Sequence, residues 1–249
     1  MNNLADAILQ NTPKNPDELN SLLHEVHMLS KDSYQTIVFP TKDTQTQLMK
    51  TRIISLLRTL KKEAIFFDQH HYSAVLYNFD QADGPITKAY LQRVVQDFLL
   101  ENPYLTFAIS SLKPKQGIKE LLFECLDILN FNRDFYNGPI VTLADIGIFK
   151  HFIQEEQLQS IEESLPQNLV ALAQTNFDLF ETFYCFLQNN RNYKQTAEKM
   201  FLHSKTIRYR LHKVEQLLAI DFNNAFQMAN YEIGAYVIKM RQRALEKKE

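Results

Sequence analysis

Glycine is scarce in this chain. There are five in 249 residues, at Gly84, Gly117, Gly138, Gly147 and Gly234, widely scattered. Loops that cradle phosphates need clustered glycines, because their backbone must approach the anion closely. A P-loop or Rossmann-type nucleotide site is therefore disfavoured. Cysteine is scarcer still, and Cys125 and Cys185 cannot make a disulfide framework or, on their own, a zinc site. Both fall on apolar helical stripes and read as core thiols. No stretch approaches the roughly 18 apolar residues a membrane span requires. Leu56-Leu57, for example, sits among Arg52, Arg58 and Lys61. Met1-Asn2-Asn3-Leu4 carries no basic run ahead of an apolar segment, so no secretory leader is read there. With 45% hydrophobic and 22% charged residues, the composition is that of a globular protein with a substantial core. A cytoplasmic location is the expectation.

The formal net charge of −2 gives no hint of a nucleic-acid partner until the chain is divided. From Asp178 onward there are 12 basic and 8 acidic residues, whereas residues 1–177 hold 15 and 21. The C-terminal part is thus at +4 and the rest at −6. Within 191–213 seven basic residues (Arg191, Lys194, Lys199, Lys205, Arg208, Arg210, Lys213) face one acid, Glu198. Such asymmetry is a sign of two jobs in one chain.

Periodicity supports that division. Residues 1–30 read as a helix pair broken at Pro13 and Pro16, with Asp17 capping the second helix. From Gln35 the period becomes that of strands: Gln35–Phe39, Ala64–Phe67, Tyr72–Phe79, Leu105–Ser110 and Ile140–Leu143. The second and third lie close enough to form an antiparallel hairpin. Amphipathic helices fall between, on Met49, Ile53, Leu57 and Leu60, on Leu91, Val94, Val95, Phe98 and Leu99, and on Ile118, Leu121, Leu122, Cys125, Leu126 and Leu129. The order is βαββαβ with extensions, an α+β arrangement of the ferredoxin-like kind. Beyond Asp145 only helices are expected: from Ile148, over 161–174 with an interruption at Pro166, and over 177–187, 193–201, 205–218 and 226–244. The large Phe and Tyr content, 18 and 11, is read mostly as packing on these stripes.

The informative segment is Asn192–Asp221. A short helix carrying Thr196-Ala197 is followed by Leu202-His203, and a longer helix begins at Ser204 or Lys205. Ala197 is small where two helices must come close, and His203 or Ser204 can cap the second one. Ile207, Leu211, Val214 and Leu218 make one buried stripe, leaving Lys205, Thr206, Arg208, Tyr209, Arg210 and Lys213 on the other faces. A helix held from behind, with cations and hydrogen-bonding groups at its exposed start, suits the major groove of double-stranded DNA. Arginine can grip guanine O6 and N7 together, and Arg191, Lys194 and Lys199 would reach phosphates from the preceding helix. Basic amphipathic helices are more often solvated faces. The short-helix, tight-turn, long-helix geometry is what favours DNA here.

Thr206–Leu211, with Thr196-Ala197-Glu198 before it and Val214–Leu218 after it, resembles the C-terminal helix-turn-helix of the PucR/CdaR family of bacterial transcriptional regulators. That domain is similar to the DNA-binding end of the factor for inversion stimulation. Gly138–Phe152 resembles the end of the GGDEF-like domain that precedes it in the family, and residues 5–40 resemble its lead-in helices and first strand. The resemblance implies a helical lead-in over 1–33, a degenerate GGDEF-like domain over 34–150, connecting helices over 151–176 and a helix-turn-helix domain over 177–249. It implies that His203, Ser204 and Arg208 face bases while Thr206, Tyr209 and Arg210 hold backbone. Lys194, Lys205 and Lys213 complete the DNA-binding set. Ser204-Lys205 stands where many relatives have Arg-Asn, so the operator cannot be carried over. A sensor domain usually precedes this pair in the family, and its absence from these residues suggests a sensorless short form or a fragment.

The rival class that such a fold raises is nucleotide cyclisation. That chemistry needs a glycine-bearing hairpin with paired acids, and Phe67-Asp68-Gln69-His70-His71-Tyr72 has no glycine and one acid. The strand Gln35–Phe39 also has no metal-binding aspartate. His70-His71 and the pair His24 and His27 lack a third ligand and read as surface histidines. No catalytic residue, cofactor or metal is expected. The expected protein is a homodimeric regulator, because one recognition helix reads too few base pairs. An interaction module that kept the fold and lost operator binding is the alternative.

Overall fold

The computed structural model describes residues 16–25, 27–28, 31–40, 43–60, 62–69, 71–80, 82–152 and 164–246. The expected helix before Pro13, the start of the 161–174 segment, and His70 lie outside them. The chain divides into two compact units, residues 1–150 and 151–249.

The first unit runs α1 (Pro16–Glu25), β1 (Ser33–Pro40), α2 (Asp43–Thr59), β2 (Glu63–Gln69), β3 (Tyr72–Phe79), α3 (Lys88–Glu101), β4 (Phe107–Ile109), α4 (Ile118–Phe131), β5 (Ile140–Thr142) and a one-turn α5 (Leu143–Ile146). Its five-stranded sheet has the order β2-β3-β1-β4-β5. β1 lies antiparallel to both β3 and β4, with Ile37 opposite Val75 on one side and Ile109 on the other. β2 and β3 form the expected hairpin, and β5 joins β4 in parallel. The first four strands thus have the expected βαββαβ connection, with β1 and β3 in the middle.

Alternate side chains of these central strands point to opposite faces, and both faces are covered. Ile37, Phe39, Val75, Tyr77 and Phe79 join Ile53 of α2 and Leu91 and Val95 of α3 in one apolar cluster. Tyr34 and Leu76 join Leu23 of α1 and Ile118 and Leu121 of α4 in another. Burial on both faces is why β1 and β3 read as nearly continuous apolar runs instead of a clean alternation.

Two strand boundaries of this unit differ from expectation for a local hydrogen-bonding reason, and one expected helical pair is broken by a turn. Leu105 donates its N–H back to the Asn102 carbonyl at 2.9 Å, so the strand expected from Leu105 starts only at Phe107. Leu143 does not extend β5, because Asp145 accepts from the Thr142 N–H and hydroxyl, both at 2.9 Å. That closes a capping box and turns the chain into α5. His27 does not share a helical face with His24. α1 ends at Glu25, and His27 sits at φ +56° in the turn that follows.

The second unit contains α6 (Gln167–Thr175), α7 (Phe177–Gln188), α8 (Tyr193–Lys199), α9 (Ser204–Leu218) and α10 (Ala225–Glu246). Gly147–Phe152, which spans the division after Lys150, forms 3-10 turns instead of the α-helix expected from Ile148, and Pro166 stands at the N-terminus of α6. Leu169, Leu172, Phe180, Phe183, Phe186, Ile207, Leu211, Val214, Leu218 and Ala235 form its core. Aromatic pairs fill it, with Phe186 and Tyr193 rings 4.8 Å apart and Tyr184 and Tyr236 edge-on at 5.3 Å. Gly234 lets α10 lie against α6, since a Cβ there would come within 2.9 Å of Leu169 Cδ2.

Candidate nucleic-acid interface

The element that could meet DNA is α8, the four-residue turn Met200-Phe201-Leu202-His203, and α9. Asn192 starts α8: its side-chain oxygen accepts from the N–H groups of Lys194 and Gln195, at 3.0 and 3.1 Å. These donors have no partner within a helix, so the cap stabilises a segment too short to hold itself. The inward face carries Thr196 and Ala197, which are 0% and 5% exposed. Ala197 is small where α8 meets the helical core, as its sequence position suggests.

α8 closes with two backbone bonds, Leu202 N–H to Ala197 carbonyl (3.0 Å) and Phe201 N–H to Glu198 carbonyl (3.2 Å). This is a Schellman motif, and it places Phe201 at φ +54°. His203 then caps α9, its Nδ1 accepting from the Lys205 N–H at 3.2 Å. Of the two expected caps, His203 is the one used. Ile207, Leu211, Val214 and Leu218 are buried as the stripe predicts.

The remaining faces of α9 are not equivalent. Lys205, Tyr209, His212, Lys213 and Gln216 recur at helical spacing and are exposed, forming the ridge opposite the buried stripe. Ser204 and Arg208 flank that ridge on one side, and the Arg208 guanidinium stacks over the Tyr193 ring at 5.0 Å. Thr206 and Arg210 flank it on the other. Arg210 reaches Thr182 Oγ1 at 3.2 Å and Asp178 Oδ2 at 3.4 Å, tying α9 to α7. Lys194 lies exposed on α8, 4.0 Å from Glu198. Arg191 precedes α8 instead of lying on it, and its guanidinium donates to the Phe222 carbonyl at 3.3 Å.

The structure therefore brings Lys205, Arg208, Tyr209 and Lys213 onto one solvent-facing surface beside the His203 cap. Arg210 turns aside toward α7. His212 and Gln216, absent from the sequence-based set, belong to the same exposed ridge, their side-chain nitrogens 3.1 Å apart. The i, i+4 and i+7 spacing from Lys205 was the available signal. Burial lifts the Tyr193 hydroxyl above the ordinary phenol range, so the ring beneath Arg208 stays neutral. Cys185, expected in the core, is partly exposed. Burial still raises its thiol, so the group is no ready thiolate. Cys125 is fully buried, facing the Thr36 and Ala108 carbonyls.

In the first unit the hairpin acid is already engaged. Asp68 holds Lys50 Nζ and accepts from Ser73 Oγ at 2.6 Å. Among the described residues no group of three or more His, Cys, Asp or Glu side chains could hold a metal ion. Among them, too, no helix is long and apolar enough to cross a membrane.

A capped short helix, a tight turn and a longer basic helix seated on a shared core define a helix-turn-helix domain. Residues 179–236 match the family model of the PucR C-terminal helix-turn-helix domain, and the second unit carries a domain of that type. The chain is similar to YsfB of Bacillus subtilis (strain 168), at 33% identity over 73 residues, 29% of this chain and 20% of the relative. It is also similar to the proline-responsive transcriptional activator PutR of the same organism, at 27% identity over 85 residues, 32% of this chain and 21% of the relative. The chain thus spans about a fifth of the length of these relatives. A crystal structure of a regulator of polyketide synthase expression from Bifidobacterium adolescentis aligns over 96% of this chain and 92% of that one, at 16% identity and TM-score 0.48.

Proposed function

We propose that this protein is a cytoplasmic, sequence-specific DNA-binding transcriptional regulator of the PucR/CdaR type. α9 enters the major groove of double-stranded DNA and no covalent chemistry is involved. One observation carries the reading: Lys205, Arg208, Tyr209 and Lys213 share an exposed surface within the first ten residues of a helix whose opposite stripe is fully buried in a PucR-type domain. In that pose the cap and the first two turns read base edges through His203, Ser204 and Arg208. Tyr209, Thr206, Lys194 and Lys213 serve the backbone. Stacking on Tyr193 holds the Arg208 fork pre-aimed, which lowers the entropy cost of a bidentate guanine contact. Arg210 would have to leave Asp178 and Thr182 to reach phosphate, so its part is chiefly to brace α9 against α7.

The protein binds as a homodimer in this reading, since two recognition helices one turn of DNA apart provide the specificity that one lacks. The first unit is a GGDEF-like scaffold without cyclase activity, its hairpin lacking the glycine and the second acid. It or α10 carries the self-association surface. Two sets of replacements by Ala test the assignment. Arg208→Ala should lower affinity for promoter DNA by removing a base contact, and Lys194→Ala with Lys213→Ala should shrink the slope of log affinity against log salt by about 1 for each phosphate no longer neutralised. Unchanged affinity and slope would refute the recognition-helix assignment and favour a protein-interaction module.

A further inference from the structure

The aromatic excess reads from sequence as packing, and Phe201 does not fit that reading. Its side chain is 95% exposed. Its backbone is held at φ +54° by the two bonds that close α8. Glycine is the favoured residue at this position, because a side chain there is strained in the left-handed region. Its neighbours Met200 and Leu202 both pack against the helical core, so the turn is anchored without it. Phe201 therefore costs the fold twice, through backbone strain and through a ring left in water, and no packing in the core offsets either cost.

The place of the ring supplies a use. Phe201 precedes the His203 cap by two residues, a span of no more than about 7 Å of chain. It lies in the turn that leads into α9, three residues before Ser204 and four before Lys205, which with Arg208 and Tyr209 is exposed on that helix. We propose that Phe201 is a specificity-determining residue whose ring packs on the 5-methyl group of a thymine at the edge of the major groove. The inference rests on the DNA-binding reading above. Thymine is the one base that offers an apolar group in that groove, and phenylalanine is among the side chains that meet it. The backbone beneath the ring is already fixed by hydrogen bonds, so docking orders only two side-chain torsions.

The probe is a duplex selected by the full chain from a randomised DNA pool. Phe201→Gly should melt higher, by about 4 °C or more, as strain is relieved. It should bind that duplex about fourfold more weakly, the effect of one buried methyl-sized group. Replacing one particular thymine by deoxyuridine, which removes only the methyl, should weaken the wild type by the same factor and leave Phe201→Gly unchanged. Phe201→Asn, which also tolerates the left-handed backbone, should behave like the glycine variant. Unaltered affinity in both variants overturns the proposal. So does a deoxyuridine effect equal in variant and wild type. A variant that loses self-association by sedimentation while keeping its affinity assigns the ring to a second copy and likewise overturns it. If Arg208→Ala abolishes binding and Phe201→Gly does not alter it, DNA binding stands and only this inference falls. If the wild type enriches no duplex, the DNA-binding reading itself fails.

Discussion

Replacing Asn192 by Ala removes the cap of α8 and nothing else of substance. The Asn192 side chain is exposed, and its carbonyl oxygen accepts from two otherwise unpaired donors, Lys194 N–H at 3.0 Å and Gln195 N–H at 3.1 Å. The backbone carbonyl of the same residue accepts from Thr196 N–H and its hydroxyl, bonds that alanine retains. Water can reach the freed donors, so the loss is that of an ordinary cap, about 1 kcal/mol, and not of a buried unsatisfied group. α8 has only seven residues, so losing its cap frays a large part of it. In a unit of about 100 residues, 1 kcal/mol lowers the melting temperature by roughly 4–8 °C. Circular dichroism on heating measures that shift, and hydrogen exchange resolves its location. Lys194 and Gln195 amides should lose protection most, while those of α7 change little. Asn192→Ser and Asn192→Asp should recover most of the loss. If Asn192→Ala melts like wild type and keeps its α8 amide protection, the cap does not hold the helix and this account of the turn is wrong.

Two further expectations follow from single residues. Ala219 ends α9 at φ +54°, so Ala219→Gly should stabilise the helical unit by about 1 kcal/mol. A melting temperature equal to or below wild type in the same heating experiment would count against the strain assigned there. Burial alone would push the Asp145 carboxyl up, but hydrogen bonds from Lys88 and from the Thr142 N–H and hydroxyl outweigh it and hold the pKa below the usual carboxylate value. A carboxylate depressed in the folded state contributes stability that is complete above its unfolded pKa, near 4, and lost as pH falls through the folded value. Urea midpoints of the first unit should therefore drop on acidification below about pH 4, with a shallower drop in Asp145→Asn. Identical acid slopes would show that Asp145 makes no such contribution.

Local information reached the sheet connection and the helix-turn-helix because both depend on regular periods. The Ile207, Leu211, Val214 and Leu218 stripe has one way to be buried, and it is buried. Strands β1 and β3 announce themselves by β-branched and aromatic runs, and the short link between β2 and β3 leaves a hairpin as the simple outcome. The failures were where competing hydrogen bonds decide. Leu105 looks like strand until the Asn102 carbonyl takes its N–H, and Leu143 does until Asp145 caps the next turn.

The candidate interface divides in the same way. Charge concentrated in 191–213 and the small Ala197 between two helical periods were enough to mark the segment from sequence. Which cations face solvent was not legible, because a helical wheel does not reveal what α7 offers in return. By charge and helical period alone Arg208 and Arg210 look equivalent, and the family resemblance separates them only as base-facing and backbone-holding. Only packing shows one stacked on Tyr193 at the exposed flank and the other bound to Thr182 and Asp178.

Glycine scarcity shows the same division. By itself it disfavoured phosphate-cradling loops, which is a statement about composition and needs no fold. What composition could not say is which residues would occupy the left-handed turns that glycine left unfilled. The tertiary structure assigns His27, Asn137, Asn190, Arg191, Phe201 and Ala219 to positive φ, because helix ends and the turns between packed elements require it there. Asparagine tolerates that conformation through local hydrogen bonding. Phenylalanine does not, and only the packed structure shows that the core makes no use of the Phe201 ring.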